Sequence, residues 1–294
     1  MSRPKYSWKP KSTKKAKTQT LFTSKAAKDY KNVMYDFGRA PRKPKKVKEY
    51  QQPAAMFTKS CKIKNLGYRN SEEGIHVGSN PVFDGKARRQ AYKNVTVEFD
   101  GLYCDYYGED AFIVDPLGKA VVRKAQWKGR ADSAGSDHSG GDKCIQVDGG
   151  RLELRGKRRG DVLIENAVRA VRGKANSIII IDSGDFVKCK TCVKGDGMRN
   201  PPSKSAIFFN GKPGKCLILI RNCRFWDCKT LVDIDKDCIV YWEKSNKVMS
   251  GDKSKSKMFK KRTGGKLVEG SALNDKFKAE WKKMKARKSN AWKV

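Results

Sequence analysis

The apolar positions of this chain fall into short runs separated by Gly, Asn and Asp. Val95-Thr96-Val97-Glu98-Phe99 and Arg151-Leu152-Glu153-Leu154 place an apolar side chain at every second residue, the period of a half-buried strand. Ser177-Ile178-Ile179-Ile180-Ile181 and Cys216-Leu217-Ile218-Leu219-Ile220 are almost continuously apolar, yet β-rich in residue type and bounded by turn residues. Two of these runs extend into one pattern. Ile179-Ile180-Ile181-Asp182-Ser183-Gly184-Asp185-Phe186 is echoed about 40 residues later by Leu219-Ile220-Arg221-Asn222-Cys223-Arg224-Phe225. A recurring strand–turn–strand unit suits a β-solenoid, in which each coil buries one inward row per strand against its neighbours. A β-sandwich has similar strands. No long amphipathic helix interrupts 95–242, which argues against an α/β fold.

The pattern changes at both ends. Residues 1–60 are poor in aliphatics and rich in Lys, Pro, Ser and Thr, a composition that cannot bury enough apolar surface to fold alone. They read as a basic extended arm. Aromatics are interleaved in it (Tyr6, Trp8, Phe22, Tyr30, Tyr35, Phe37, Tyr50), which suits stacking on bases or docking on a protein surface. Residues 61–245 read as the solenoid body. Residues 246–294 read as a basic linker and a C-terminal helix. Leu273, Phe277, Trp281 and Met284 form one apolar stripe on that helix, with Ser271 as its N-cap. The stripe docks either on the body or on another molecule.

Charge sharpens the picture. The formal net charge is +35 on 294 residues. Residues 1–60 hold 17 basic and 3 acidic side chains, and 246–294 hold 16 and 4. A protein so charged attracts polyanions, and the partners expected are nucleic acid or acidic polysaccharide gripped by the basic arms. The N-terminus lacks the apolar stretch of a secretory signal, and no run has the roughly 18 apolar residues of a membrane span. Nine cysteines without a signal point to reduced thiols. Cys189-Lys190-Thr191-Cys192, with Cys216, Cys223, Cys228 and Cys238, invites a zinc reading. Small side chains buried between coils are the alternative.

Between Asp100 and Gln146 stand two further strings, Tyr106-Tyr107-Gly108-Glu109-Asp110-Ala111 and Gly141-Asp142-Lys143-Cys144-Ile145-Gln146. Before them comes Glu73-Gly74-Ile75-His76-Val77, and after them Val168-Arg169-Ala170-Val171-Arg172. This ordered set resembles the family-3 pectate lyases, over about residues 70–243. The resemblance implies a right-handed parallel β-helix, all-β, and a calcium-dependent β-elimination on polyuronates. It implies that Glu73, Glu109 and Asp110 hold Ca2+ and that Lys143 compensates substrate charge. Arg169 would then take the proton and Arg172 clamp the sugar carboxylate. Glu73 stands where the family has aspartate, and Arg169 where it has lysine.

Two functions follow. One is a structural or polyanion-binding β-helix component of a large assembly with protein neighbours, such as a minor capsid or packaged protein of a virion. The other is an active calcium-dependent pectate or polyuronate lyase. Either sits in a virion or an intracellular assembly.

Overall fold

A computed structural model describes residues 2–6, 8–16, 28–38, 53–71, 73–78, 95–105, 107, 110–116, 118–129, 143–197, 214–262 and 264–288. The fold is a parallel β-helix whose coils present three faces. The first face stacks β2 (Lys28–Asp36), β4 (Cys61–Arg69), β6 (Val95–Asp105), β8 (Gly118–Lys128), β10 (Arg151–Arg155), β13 (Ile178–Asp182), β16 (Cys216–Arg221), β19 (Cys238–Glu243) and β22 (Lys266–Gly270). The second face stacks the far half of β8 on β11 (Val162–Glu165), β14 (Gly184–Val187), β17 (Arg224–Trp226) and β20 (Lys247–Ser250). The third face stacks β3 (Pro53–Phe57), β5 (Glu73–Val77), β7 (Asp110–Val114), β9 (Lys143–Val147), β12 (Arg169–Lys174), β15 (Thr191–Gly197), β18 (Thr230–Ile234) and β21 (Phe259–Lys261). Every paired strand runs parallel.

The two repeats seen in the sequence are successive coils. Ile179 pairs with Ile218, and Phe186 stacks on Phe225 with ring centroids 5.1 Å apart; Trp242 continues the stack at 5.2 Å. At the other end Phe57, Phe99, Phe112 and Trp127 meet edge to face. Like side chains stacked coil on coil thus fill the interior. In the early coils one long strand serves two faces. Its bend falls at left-handed residues, Asn65 in β4 (φ 55°) and Gly101 in β6 (φ 91°). A Cβ on Gly101 would lie 2.7 Å from Asn65 Oδ1, so the corner needs glycine there.

The continuously apolar runs are explained by burial on both sides. Ile179, Ile181, Ile218 and Ile220 point into the coil. Ile178, Ile180, Leu217, Leu219, Ile239 and Tyr241 point out, and Leu273, Phe277 and Met284 cover them. These belong to or adjoin the C-terminal helix, labelled α2 (Asn274–Lys288) after the short α1 (Lys255–Met258). The stripe therefore docks on its own body. The helix begins three residues past the expected cap Ser271. Ala272 has a positive φ of 51°, and the Leu273 amide donates to Glu243 Oε1 at 3.0 Å.

The terminal segments differ from the expected boundaries. β2 and β3, inside the span read as an extended arm, form the first coil, because Tyr30, Val33 and Met34 give it enough apolar surface to stack on β4. β20, β21 and β22, inside the span read as a linker, complete the last coils. Residues 2–6 and 8–15 do run extended, but across the molecule. Arg3 pairs with Asp227, the Arg159 guanidinium donates to the Ser2 carbonyl, and the Tyr6 hydroxyl donates to Leu102 O at 3.1 Å. Trp8 Nε1 donates to Asn32 Oδ1 at 2.6 Å, and β1 (Ser12–Lys15) then pairs with β2. This strap covers the outward apolar row of the second face, Tyr103, Leu163, Val187 and Trp226. No helix among the described residues is long and apolar enough to cross a membrane.

Candidate functional site

Two places bring functional residue types together. The first is the lyase-like set on the third face. Glu73, Asp110, Lys143 and Arg169 are register partners on four consecutive coils, each standing beside the next. Residues as much as 96 positions apart in sequence thus share one row. Glu109 lies outside the described residues. Arg172 stands three residues along β12 from Arg169, beside Gln146 of β9.

The row is compensated from within. The His76 imidazole is 1% exposed and lies between two carboxylates, with Nε2 2.9 Å from Glu73 Oε2 and Nδ1 3.0 Å from Asp115 Oδ2. Burial alone would lower its pKa, but the charges and hydrogen bonds of Asp115 and Glu73 outweigh burial and raise it to about 9. His76 is then an imidazolium donating both N–H groups. Lys143 Nζ lies 3.3 Å from Asp110 Oδ1, with both side chains buried. Arg172 pairs with Asp196 and also donates to Gln146 Oε1 at 3.4 Å. Lys194 adds a second cation 3.3 Å from Asp196. Burial works against ionisation of Asp196, and these two cations hold its carboxyl below the usual range.

A calcium cage needs carboxylate oxygens turned to one point and free of competing cations. Here Glu73 and Asp115 share the His76 imidazolium and the Lys143 ammonium stands beside Asp110, so these described residues do not fit calcium as they stand. The Arg172 fork, needed to clamp a substrate carboxylate, is held by Asp196.

The second place is a cavity of about 640 Å³ at the corner between the first and second faces. It is lined by Lys64, Arg123, Lys124, Lys157, Arg158 and Arg159, with Asp100 and Asp161 as its acidic members and Trp8 of the strap on its wall. Its shape follows from the corner. At this corner Lys64 beside Asn65 and Arg123-Lys124 on β8 project outward. The Lys157-Arg158-Arg159 turn is tied by Asp161, whose Oδ2 accepts the Lys157 amide at 3.0 Å and the Arg158 amide at 2.8 Å. Gly160 N–H donates to Asp185 Oδ2 at 2.7 Å. With its backbone fixed, the turn presents three cations side by side.

Little of this charge is used inside the chain. Lys124 lies 3.9 Å from Asp100 and Arg123 3.7 Å from Glu98, distances at the loose end of ion pairing. Asp161 binds only the backbone amides of Lys157 and Arg158, and the side-chain cations of Lys64, Lys157 and Arg158 make no ion pair among the described residues. Arg159 lies over the Trp226 ring, 5.1 Å from its centroid. Trp8 is held by its bond to Asn32 and by edge contacts with Tyr6 and Tyr103. Sequence reasoning placed the cationic grip in the two ends and missed this corner. Its members come from five separate segments, and only the adjacent Lys157-Arg158-Arg159 signals it in the sequence.

The chain matches no family model, no curated protein and no solved structure. The likeness to the pectate lyases rests on the quoted residues.

Proposed function

We propose that this chain is a polyanion-binding β-helix protein, a structural component of a large assembly such as a virion, and that the basic corner grips a phosphodiester backbone. The observation that carries the reading is the concentration of six cations around one cavity, three of them with side chains that make no ion pair among the described residues. Arg and Lys held with little internal neutralisation attract phosphates, and each one neutralised releases condensed counterions. Arginines add two-pronged contacts to phosphate oxygens. The aromatic wall at Trp8 offers a face on which a nucleic-acid base can stack beside the gripped backbone. The test is fluorescence anisotropy of the full chain with a labelled single-stranded DNA, titrated over salt and competed with polygalacturonate. Affinity falling steeply with salt and resisting the uronate competitor supports the reading. Affinity insensitive to salt overturns it.

One observation favours a second reading, a polyuronate lyase: the register of Glu73, Asp110, Lys143 and Arg169. Its test is the ultraviolet absorbance of unsaturated product from polygalacturonate, with calcium and with chelator. Calcium-dependent product, lost in Arg172→Ala, would establish that activity. On the first reading no product forms.

A further inference from the structure

Nine cysteines lie buried in this molecule, and three of them meet. Cys189 follows β14, Cys192 is the second residue of β15, and Cys228 follows β17 in the next coil. Their Sγ atoms all lie within 4.8 Å of one another, the only such grouping of potential metal ligands among the described residues. The backbone builds it deliberately. Lys188 (φ 52°) and Asp227 (φ 51°) are left-handed corner residues at equivalent points of two coils, and each places the cysteine that follows it at the same corner. The Lys188 amide donates to Trp226 O at 2.8 Å and the Lys229 amide to Cys189 O at 3.0 Å, which locks the two corners in register. Cys192 enters from the third face.

Packing alone does not require sulfur here. The coil before carries Ala167 at the place of Cys189 and Ala170 at the place of Cys192, and the coil after carries Leu231 there; all three are buried. In the adjacent coils an ordinary aliphatic fills these columns, and the Cys144 two coils earlier in the Cys192 column stands outside the cluster, while three thiols converge only at this corner.

We propose that Cys189, Cys192 and Cys228 form a binding site for a thiophilic d10 metal cation. The donor set is all sulfur, which selects monovalent copper or zinc over hard, oxygen-seeking cations. Metal–sulfur bonds of about 2.3 Å put sulfurs on one ion about 4 Å apart, so the trio closes on a cation with small side-chain movements. Three donors suit the trigonal coordination of monovalent copper; zinc would take a fourth donor. The thiols release their protons to solvent as they ligate. Entry is from the Cys228 side, where the flanking Asp227 and Lys229 are at the surface.

The experiment loads the reduced full-length chain, without oxygen, with one equivalent of Cu+ or Zn2+ against a competing chelator. Metal retained after desalting is then measured, and X-ray absorption at the metal edge counts the sulfurs. About one equivalent of one of the two ions, bound by three sulfurs, is expected. Cys192→Ala and Cys228→Ala should each abolish retention, while Cys216→Ala, outside the trio, should keep it. Alanine is the chosen replacement because Ala167 and Ala170 show that these columns accept it. Circular dichroism verifies that each variant is folded. Failure of the parent chain to retain either ion, or equal retention in folded Cys192→Ala and Cys228→Ala, overturns the proposal.

Discussion

His76 places Nε2 2.9 Å from Glu73 Oε2, three residues back on the same strand, and turns its other nitrogen to Asp115. The acid that opens the third-face row thus shares one imidazolium with Asp115. The His76 pKa is raised from 6.5 to about 9. A raised folded-state pKa means stability that is complete below about pH 6.5, declines above it, and is gone above about pH 9. At 1.36 kcal/mol per unit the contribution is at most on the order of 3 kcal/mol. His76→Gln should therefore melt below the parent at pH 6, with the gap closing by pH 9.5. Melting curves of both proteins across that range check it. A gap of constant size would show that His76 does not titrate there.

Lys157→Glu with Arg158→Glu reverses two cations on the basic corner without touching the apolar interior. DNA affinity should drop at least tenfold at moderate salt. The slope of log affinity against log salt should become shallower by about two, one for each phosphate contact removed. The same pair of changes at Lys278 and Lys282, on the C-terminal helix, serves as a control for net charge. Equal losses from the two pairs would mean that overall charge, and not the corner, does the binding.

Phe277 is fully buried between the helix and the outward row of the first face, its ring 5.7 Å from that of Tyr241. Phe277→Ala should cost about 3–5 kcal/mol, the range for a buried aromatic. It should also expose the helix to protease before the body unfolds. Arg151→Ala, which removes the cation lying 4.2 Å from the Trp281 ring centroid, should cost much less. Limited proteolysis of the two variants ranks them; the reverse order would refute this account of the anchor.

Tyr6 packs against Met34 and Tyr103 and bonds to Leu102 O. Tyr6→Ala should loosen the strap, speeding hydrogen exchange at the amides of residues 2–11 while leaving those of β13 and β16 unchanged. Exchange mass spectrometry resolves the two regions. Uniform acceleration would mean that the strap is an integral part of the coil stack.

What the sequence disclosed depended on how local the cause was. The strand runs at 95–99, 177–181 and 216–220 and the matched Phe186 and Phe225 were legible because a coil repeats its own turn chemistry. The stripe Leu273-Phe277-Trp281-Met284 was legible because helical spacing is local. The four-residue row on the third face was suggested by resemblance, but the burial of Asp110 and Lys143 and the sharing of His76 between Glu73 and Asp115 depend on neighbours that no short window contains. β2 was hidden because Lys28, Asp29, Lys31 and Asn32 mask Tyr30, Val33 and Met34 in any average of composition. The corner of Lys64, Arg123 and Lys157 was invisible for another reason. Loops of unequal length separate the coils, so the three positions share no sequence period.

The strap ties residues that are 224 positions apart, Arg3 and Asp227. On a ribosome the segment bearing Arg3 and Tyr6 emerges long before Asp227 and Trp226 exist. Tyr6 and Trp8 find Leu102 and Asn32 in early coils, but Arg3 has its acidic partner only once the seventh coil has stacked. Early in the chain's life this segment is available to any acidic surface nearby; once the stack is complete it lies along the second face. A contact that bridges the stack in this way closes only when the coils between its two ends are in place.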